Sequence, residues 1–206
     1  MSERFQLVLG THNQKKRREL QLLLSDMPID VLSLDEFPNA LSVEETGTTF
    51  QENAALKATV QAQHLDCWVM GEDSGLSVAA LNGAPGVYSA RFAGQDGDDK
   101  ANNAKLVESL IDTPEHRRNA WYTCHMTLSD PQGQVVIDVE SSCQGFIVLQ
   151  PRGDAGFGYD PYFELREYRR TFAELGDSVK SVLSHRAKAM RLFLARFKAL
   201  SPSTVS

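Results

Sequence analysis

The sequence predicts an α/β fold, and three observations predict it. The chain opens on an apolar run ended by glycine, residues 5–10, followed by a polar loop and a helical pattern. Its middle alternates over residues 120–128 with the two-residue period of a strand, then turns and returns, the mark of an antiparallel meander. Its end, residues 184–200, carries Met190, Phe193, Leu194 and Phe197 at helical spacing. With 206 residues, 42% of them apolar and 23% charged, the chain suits one domain with a sizeable core.

Each element can be justified in order. Residues 5–10 form the first strand, and Leu20, Leu23, Leu24 and Met27 mark the helix that Pro28 closes. Residues 31–34 read as a second strand, before a Pro-Asn loop and the acidic segment 42–47. Thr49 and Glu52 have the spacing of a capping box, and the Ala-rich run 50–64 contains good helix formers throughout. Residues 68–70 read as a buried strand, after which Glu72 and Asp73 sit at a bend before apolar sequence resumes at Leu76. Asn82-Gly83 and Pro85-Gly86 are turn signals within an uncharged stretch, and Asp98 or Asp99 can start a helix through Leu106 and Leu110. The strand over 120–128 has two different faces. Residues 129–133 turn, Val135, Ile137 and Val139 return, and 146–149 make a third strand before a Gly-rich loop at 152–161.

Composition excludes several classes. With 21 basic against 27 acidic residues the net charge is −6, which disfavours a binder of duplex nucleic acid while leaving a local basic pocket open. Cys67, Cys124 and Cys143 are odd in number, far apart and without CxxC spacing, so they read as reduced, packed thiols rather than a disulfide framework or zinc site. No stretch approaches the roughly 20 apolar residues of a membrane span, and the expected address is the cytosol.

Four segments can carry chemistry. The loop Thr11-His12-Asn13-Gln14-Lys15-Lys16 lies between strand and helix, where backbone amides and the helix dipole favour an anion; taken alone it reads first as an ordinary polar connection with solvated lysines and second as a phosphate site. Glu44, Glu45, Glu72 and Asp73 are carboxylates from separate segments that could meet a magnesium ion, which takes one or two carboxylates, waters and phosphate oxygens. The alternative leaves Glu44 and Glu45 as a solvated loop. In the 152–161 loop glycines permit close backbone approach, and Phe157 and Tyr159 offer faces for stacking a base or for packing a core. Ser184-His185-Arg186 opens the last helix, where Arg186 needs an acidic partner or a ligand carbonyl.

Together these segments resemble the inosine/xanthosine triphosphate pyrophosphatase family. The matching stretches are THNQKKRREL at 11–20, EETGTTFQENAALKA at 44–58, GEDSGLSVAALNGAPGVYSARFAG at 71–94, GFGYDPYF at 156–163 and SHRAKA at 184–189. The resemblance implies an elongated mixed sheet with flanking helices, forming a single two-lobed domain over 1–206 around a central cleft, and a homodimer acting on small nucleotides. It also implies Mg²⁺-dependent hydrolysis of ITP, dITP and XTP to monophosphate and pyrophosphate. By the same resemblance the loop from Thr11 to Lys16, chiefly Thr11, Asn13 and Lys16, binds the triphosphate together with Lys57. Glu44 and Asp73 become metal carboxylates with Glu72 beside them, Asp73 is also the proton acceptor for the attacking water, and Ser74 touches substrate. Phe157, Gly158, Tyr159 and Asp160 become the base-stacking loop, and Lys180, His185 and Arg186 the purine contacts. The sequence departs from the family pattern in Glu72, where many members have aspartate, in Gly71, where a larger residue is common, and in the segment 176–179.

Overall fold

The computed structural model describes residues 4–200. Among them seven strands, β1 (Phe5–Leu9), β2 (Ile29–Ser33), β3 (Val69–Val78), β4 (Asn119–Ser129), β5 (Val135–Ile147), β6 (Phe163–Leu165) and β7 (Arg170–Thr171), form a sheet in the order β2-β1-β3-β4-β5-β6-β7. The α-helices are α1 (Gln14–Leu24), α2 (Phe50–Leu65), α3 (Asp99–Leu110), α4 (Phe172–Leu183) and α5 (His185–Lys198). β1 pairs in parallel with β2 and β3, while β6 is antiparallel to β5 and β7. The fold is therefore α/β with a mixed sheet, as the sequence predicts.

The chain divides into two compact units. The first takes residues up to Asp73, then Cys124–Ser141, and the chain from Ala189 on; the second takes Ser74–Thr123 and Ser142–Lys188. In the first unit β1 is buried on both faces. Leu7 and Leu9 join Leu20 and Leu24 of α1 and Met190 and Phe193 of α5, whereas Val8 joins Ala62 of α2 and Val69. Alternate side chains of a strand point to opposite faces, so a strand covered on both sides reads as a continuous apolar run. The second unit has its own core of Leu76, Val78, Leu106, Leu110, Tyr122, Phe163 and Phe172, with the Phe163 and Phe172 rings stacked 5.4 Å apart.

Gly71 fixes how α2 lies on β3. A Cβ at this position would fall 2.1 Å from the Ala54 carbonyl oxygen and 2.8 Å from the Ala58 nitrogen, so the helix backbone rests directly on the strand. Ala54 and Ala58 are fully buried at that contact. This close approach explains why Gly71 cannot carry a larger side chain here, and it brings Asn53 and Lys57 of α2 beside the β3 acids. The helix starts where the sequence predicts, with the Thr49 and Glu52 capping box formed in both directions.

Several expectations need correction. Glu72 and Asp73 do not mark a bend: β3 runs unbroken from Val69 to Val78, because each acid meets a lysine and need not leave the strand for water. β5 is likewise one strand to Ile147, so residues 146–147 are its end and not the start of a third strand; β6 is its next neighbour. The faces of β4 differ less than the alternation suggests, since Thr123, His125 and Thr127 are buried as well. The first helix stops at Leu24, short of Met27, and β2 begins at Ile29, with Leu34 in the 3-10 turn after it. Helix α4 was not predicted. Its capping box, Thr171 with Glu174, was the available signal, but Gly176 at φ 76° breaks the helical pattern inside it.

Candidate active site

In the first unit the turn after β1 feeds α1, and Asn13 caps that helix, its side-chain oxygen accepting from the Lys15 and Lys16 amides at 3.0 and 3.1 Å. Capping sets the direction of the first turn. Lys16 is thereby directed to the middle of β3, its Nζ 3.2 Å from Glu72 Oε2 and 3.9 Å from Asp73 Oδ1. From the other side Lys57 Nζ bridges Asp73 Oδ1 and Glu45 Oε1, both at 2.9 Å. Asn53, one turn earlier on α2, donates to Asp73 Oδ2 at 3.4 Å and accepts from the Gly47 amide at 2.8 Å, tying the acidic loop to the helix.

The centre of the cluster is buried. Glu72 is 0% exposed, Asp73 4% and Lys57 8%. Three carboxylates, Glu45, Glu72 and Asp73, stand against two ammonium groups, Lys16 and Lys57. Burial pushes the Asp73 carboxyl above the ordinary carboxylate value; Lys16 and Lys57 pull it down, and Glu45 pushes it further up. For Lys57 burial favours the neutral amine, but Asp73, Glu45 and Glu72 outweigh it and hold the ammonium above its usual range. Such a donor set suits a hard divalent ion. Among the described residues no group of three or more His, Cys, Asp or Glu side chains would cage a metal alone.

The second unit carries a different arrangement. Asp160 Oδ2 accepts from Lys180 Nζ at 2.6 Å and from the Phe157 amide at 2.9 Å. Lys180 lies over the Phe157 ring, 4.3 Å from its centroid, and the Arg186 guanidinium stands 6.0 Å from the same centroid. Arg186 donates to Ser74 Oγ at 2.8 Å, and His185 is stacked on Tyr122 at 4.6 Å with the rings 10° apart. The loop is held from α3: Asn103 donates to the Gly158 carbonyl at 2.9 Å, and Asp99 accepts from the Gly158 amide at 3.1 Å. Gly156 is required, since its φ is 77° and a Cβ would lie 2.2 Å from Asp160 Oδ2.

The structure thus brings together Lys16, Lys57, Glu72 and Asp73 in one unit, and Phe157, Asp160, Lys180 and Arg186 with Ser74 in the other. It leaves Gln14 and Lys15 exposed on the first turn of α1, and exposed His12 bonded to the Leu41 carbonyl at 3.2 Å. Glu44 is exposed, and its neighbour Glu45 is the loop acid that reaches Lys57. Tyr159 offers no stacking face: it is 5% exposed in the second core, its hydroxyl donating to the Ser89 carbonyl. The sequence reading missed Asn53 and Cys124. Asn53 lies four residues before Lys57 and so on the same helix face, a signal that was available; Cys124 on β4 gave none.

Known proteins resemble this chain over nearly its whole length. The sequence profile of the Ham1 family matches residues 7–196. A dITP/XTP pyrophosphatase of Rhodopirellula baltica is 53% identical over 203 residues, 98% of each chain, and one of Bacillus cereus is 46% identical over 187 residues, 90% of this chain and 91% of its own. The solved structure of a HAM1 protein from Coxiella burnetii superposes with a TM-score of 0.86 at 35% identity, covering 95% of this chain and all of its own. The resemblance read from the five sequence stretches is therefore one of descent along nearly the whole length, and the chain belongs to the Ham1 family.

Proposed function

We propose that this protein hydrolyses deaminated purine nucleoside triphosphates, ITP, dITP and XTP, to the monophosphate and pyrophosphate. The observation that carries the reading is the cluster of three carboxylates and two lysines around the buried Asp73, which offers carboxylate oxygens to a cation and ammonium groups to phosphate oxygens. The names of the relatives from Rhodopirellula baltica and Bacillus cereus support the substrate class.

Asp73, with Glu44 from the acidic loop, would hold Mg²⁺. When bound, that ion supplies charge compensation for the triphosphate and polarises its phosphorus centre. Lys16 and Lys57 bind phosphate oxygens, and Thr11 with the backbone amides at the start of α1 orients them. Asp73 accepts the proton of the attacking water. The water oxygen bonds to the α-phosphorus, the α–β bridge bond breaks, and pyrophosphate leaves. No covalent intermediate is needed.

Purine selection follows from Arg186. A 6-keto oxygen accepts from its guanidinium, whereas adenine presents a donor there and leaves the arginine unmet, at a cost of about 1–3 kcal/mol per lost contact. Phe157 stacks on the base, and Lys180 and His185 fix its edge. The working form is a homodimer, which sedimentation velocity would read directly. Incubation with ITP, XTP, dITP and ATP under Mg²⁺ titration tests the activity: pyrophosphate from the first three and little from ATP is expected. Silence on those three, or equal turnover of ATP, overturns the reading.

A further inference from the structure

Glu72 is the carboxylate that the proposed reaction leaves without a task, and its surroundings assign one. It precedes Asp73 in an unbroken strand, so the two side chains leave β3 on opposite faces. Asp73 turns to α2, where Lys57 and Asn53 meet it. Glu72 turns to the side of Met70, and each of its oxygens has a different neighbour. Oε2 lies 3.2 Å from Lys16 Nζ, and Oε1 accepts from the Cys124 thiol at 3.3 Å. Glu72 and Cys124 are both 0% exposed, and Lys16 retains 16% of its side-chain exposure. The chain therefore runs from a buried thiol, through a buried carboxylate, to a lysine that reaches the surface.

We infer that Glu72 is a positioning residue for Lys16, and that the Cys124 thiol holds Glu72 in turn. A lysine side chain has four rotatable bonds and loses much of its rotamer freedom when fixed. A charge-assisted contact to a carboxylate that is itself pinned by packing and a thiol donor supplies that ordering before a phosphate arrives. Glutamate suits the task because its longer side chain spans from β3 to Lys16 while keeping its second oxygen on Cys124. The inference rests on the reading of Lys16 as a phosphate contact.

The test is a double-mutant cycle on metal-free protein in EDTA, with inorganic tripolyphosphate as the probe and binding read by calorimetry. Lys16→Met should weaken binding about tenfold in the wild-type background, and less than about twofold when Glu72→Gln is already present. Cys124→Ala should weaken binding in the direction of Glu72→Gln, and Cys124→Ser, which keeps a donor, should restore it. Equal losses from Lys16→Met in both backgrounds would overturn the inference, as would absence of tripolyphosphate binding by the wild type. A Cys124→Ala protein that binds like wild type removes the thiol from the scheme. If Glu72→Gln fails to fold, Glu72→Asp serves, since its shorter arm cannot keep both contacts and should uncouple Lys16 equally. Wild-type pyrophosphate release from dITP is measured separately. Coupling without turnover would sink the proposed function alone, and turnover with additive losses would sink the positioning role alone.

Discussion

Two buried lysine-aspartate contacts, Lys57 with Asp73 and Lys180 with Asp160, look alike as pairs and differ in their company. Asp160 has Lys180 and the Phe157 amide on the same oxygen, so its charge is met one for one. Asp73 shares Lys57 with Glu45 and Lys16 with Glu72, so each lysine there stands between two carboxylates. A matched buried pair is a finished structure, and breaking it exposes the full cost of desolvation. Where each lysine is shared between carboxylates, no single pair carries the contact. The contrast teaches that a buried lysine-aspartate pair can be part of a simple structural contact or of a wider charge network.

The largest expected effect breaks the shared network. Asp73→Asn should lower kcat by about a thousandfold, the scale of a lost general base and metal carboxylate, while nucleotide binding survives. Pyrophosphate release and equilibrium binding read the two quantities apart, and full activity in this variant would refute the role. Next comes the matched pair. Lys180→Met leaves Asp160 buried without its cation and should cost about 3–5 kcal/mol of stability, seen as a thermal midpoint lower by roughly ten degrees. A midpoint within a degree of wild type would mean that Asp160 finds another partner. Gly71→Ala should cost about 1–3 kcal/mol by driving α2 off β3, and should impair activity along with stability because Asn53 and Lys57 move with the helix.

Smaller effects sharpen the comparison. Arg186→Gln should narrow the preference for ITP over ATP about tenfold, measured as the ratio of kcat/KM values, with little change in metal requirement. The pH dependence separates the groups by sign. Lys57 has its folded pKa raised, so its contribution to stability is fully present below the unfolded lysine value of about 10.4 and is lost as pH climbs through the folded value. Asp73 also has a raised folded pKa, so its effect runs the same way in the acid range: the fold gains from its protonation below about 3.9 and loses that gain as pH rises through the folded value. Glu52 is the opposite case. Hydrogen bonds from the Thr48 and Thr49 amides and the Thr48 hydroxyl lower its pKa, so the capping box stabilises α2 above about 4.3 and fails as pH falls through the folded value. Denaturant midpoints of Glu52→Gln should show a flatter acid limb than wild type; an unchanged limb would remove the cap from the acid response.

Much of this was legible in the sequence. The first strand and helix, the capping box at Thr49 and Glu52, the α3 start at Asp98, and the 130s turn all follow from local patterns that need no partner. The five stretches that resemble the pyrophosphatase family were equally plain, because motif wording is a property of the chain. What local patterns could not reach were the places where a distant partner changes the meaning of a residue. Two adjacent acids look like a reason to leave a strand, and only the arrival of Lys16 and Lys57 from other elements lets β3 continue through them. An exposed-looking Tyr159 is a core residue because Ser89 accepts its hydroxyl. Which of Glu44 and Glu45 faces Lys57, and which of Glu72 and Asp73 faces α2, was likewise decided only by tertiary packing. The sequence determined what groups are present and roughly on which element; their charges became a site only when packing removed them from water, because a buried carboxylate is defined by the cation that meets it.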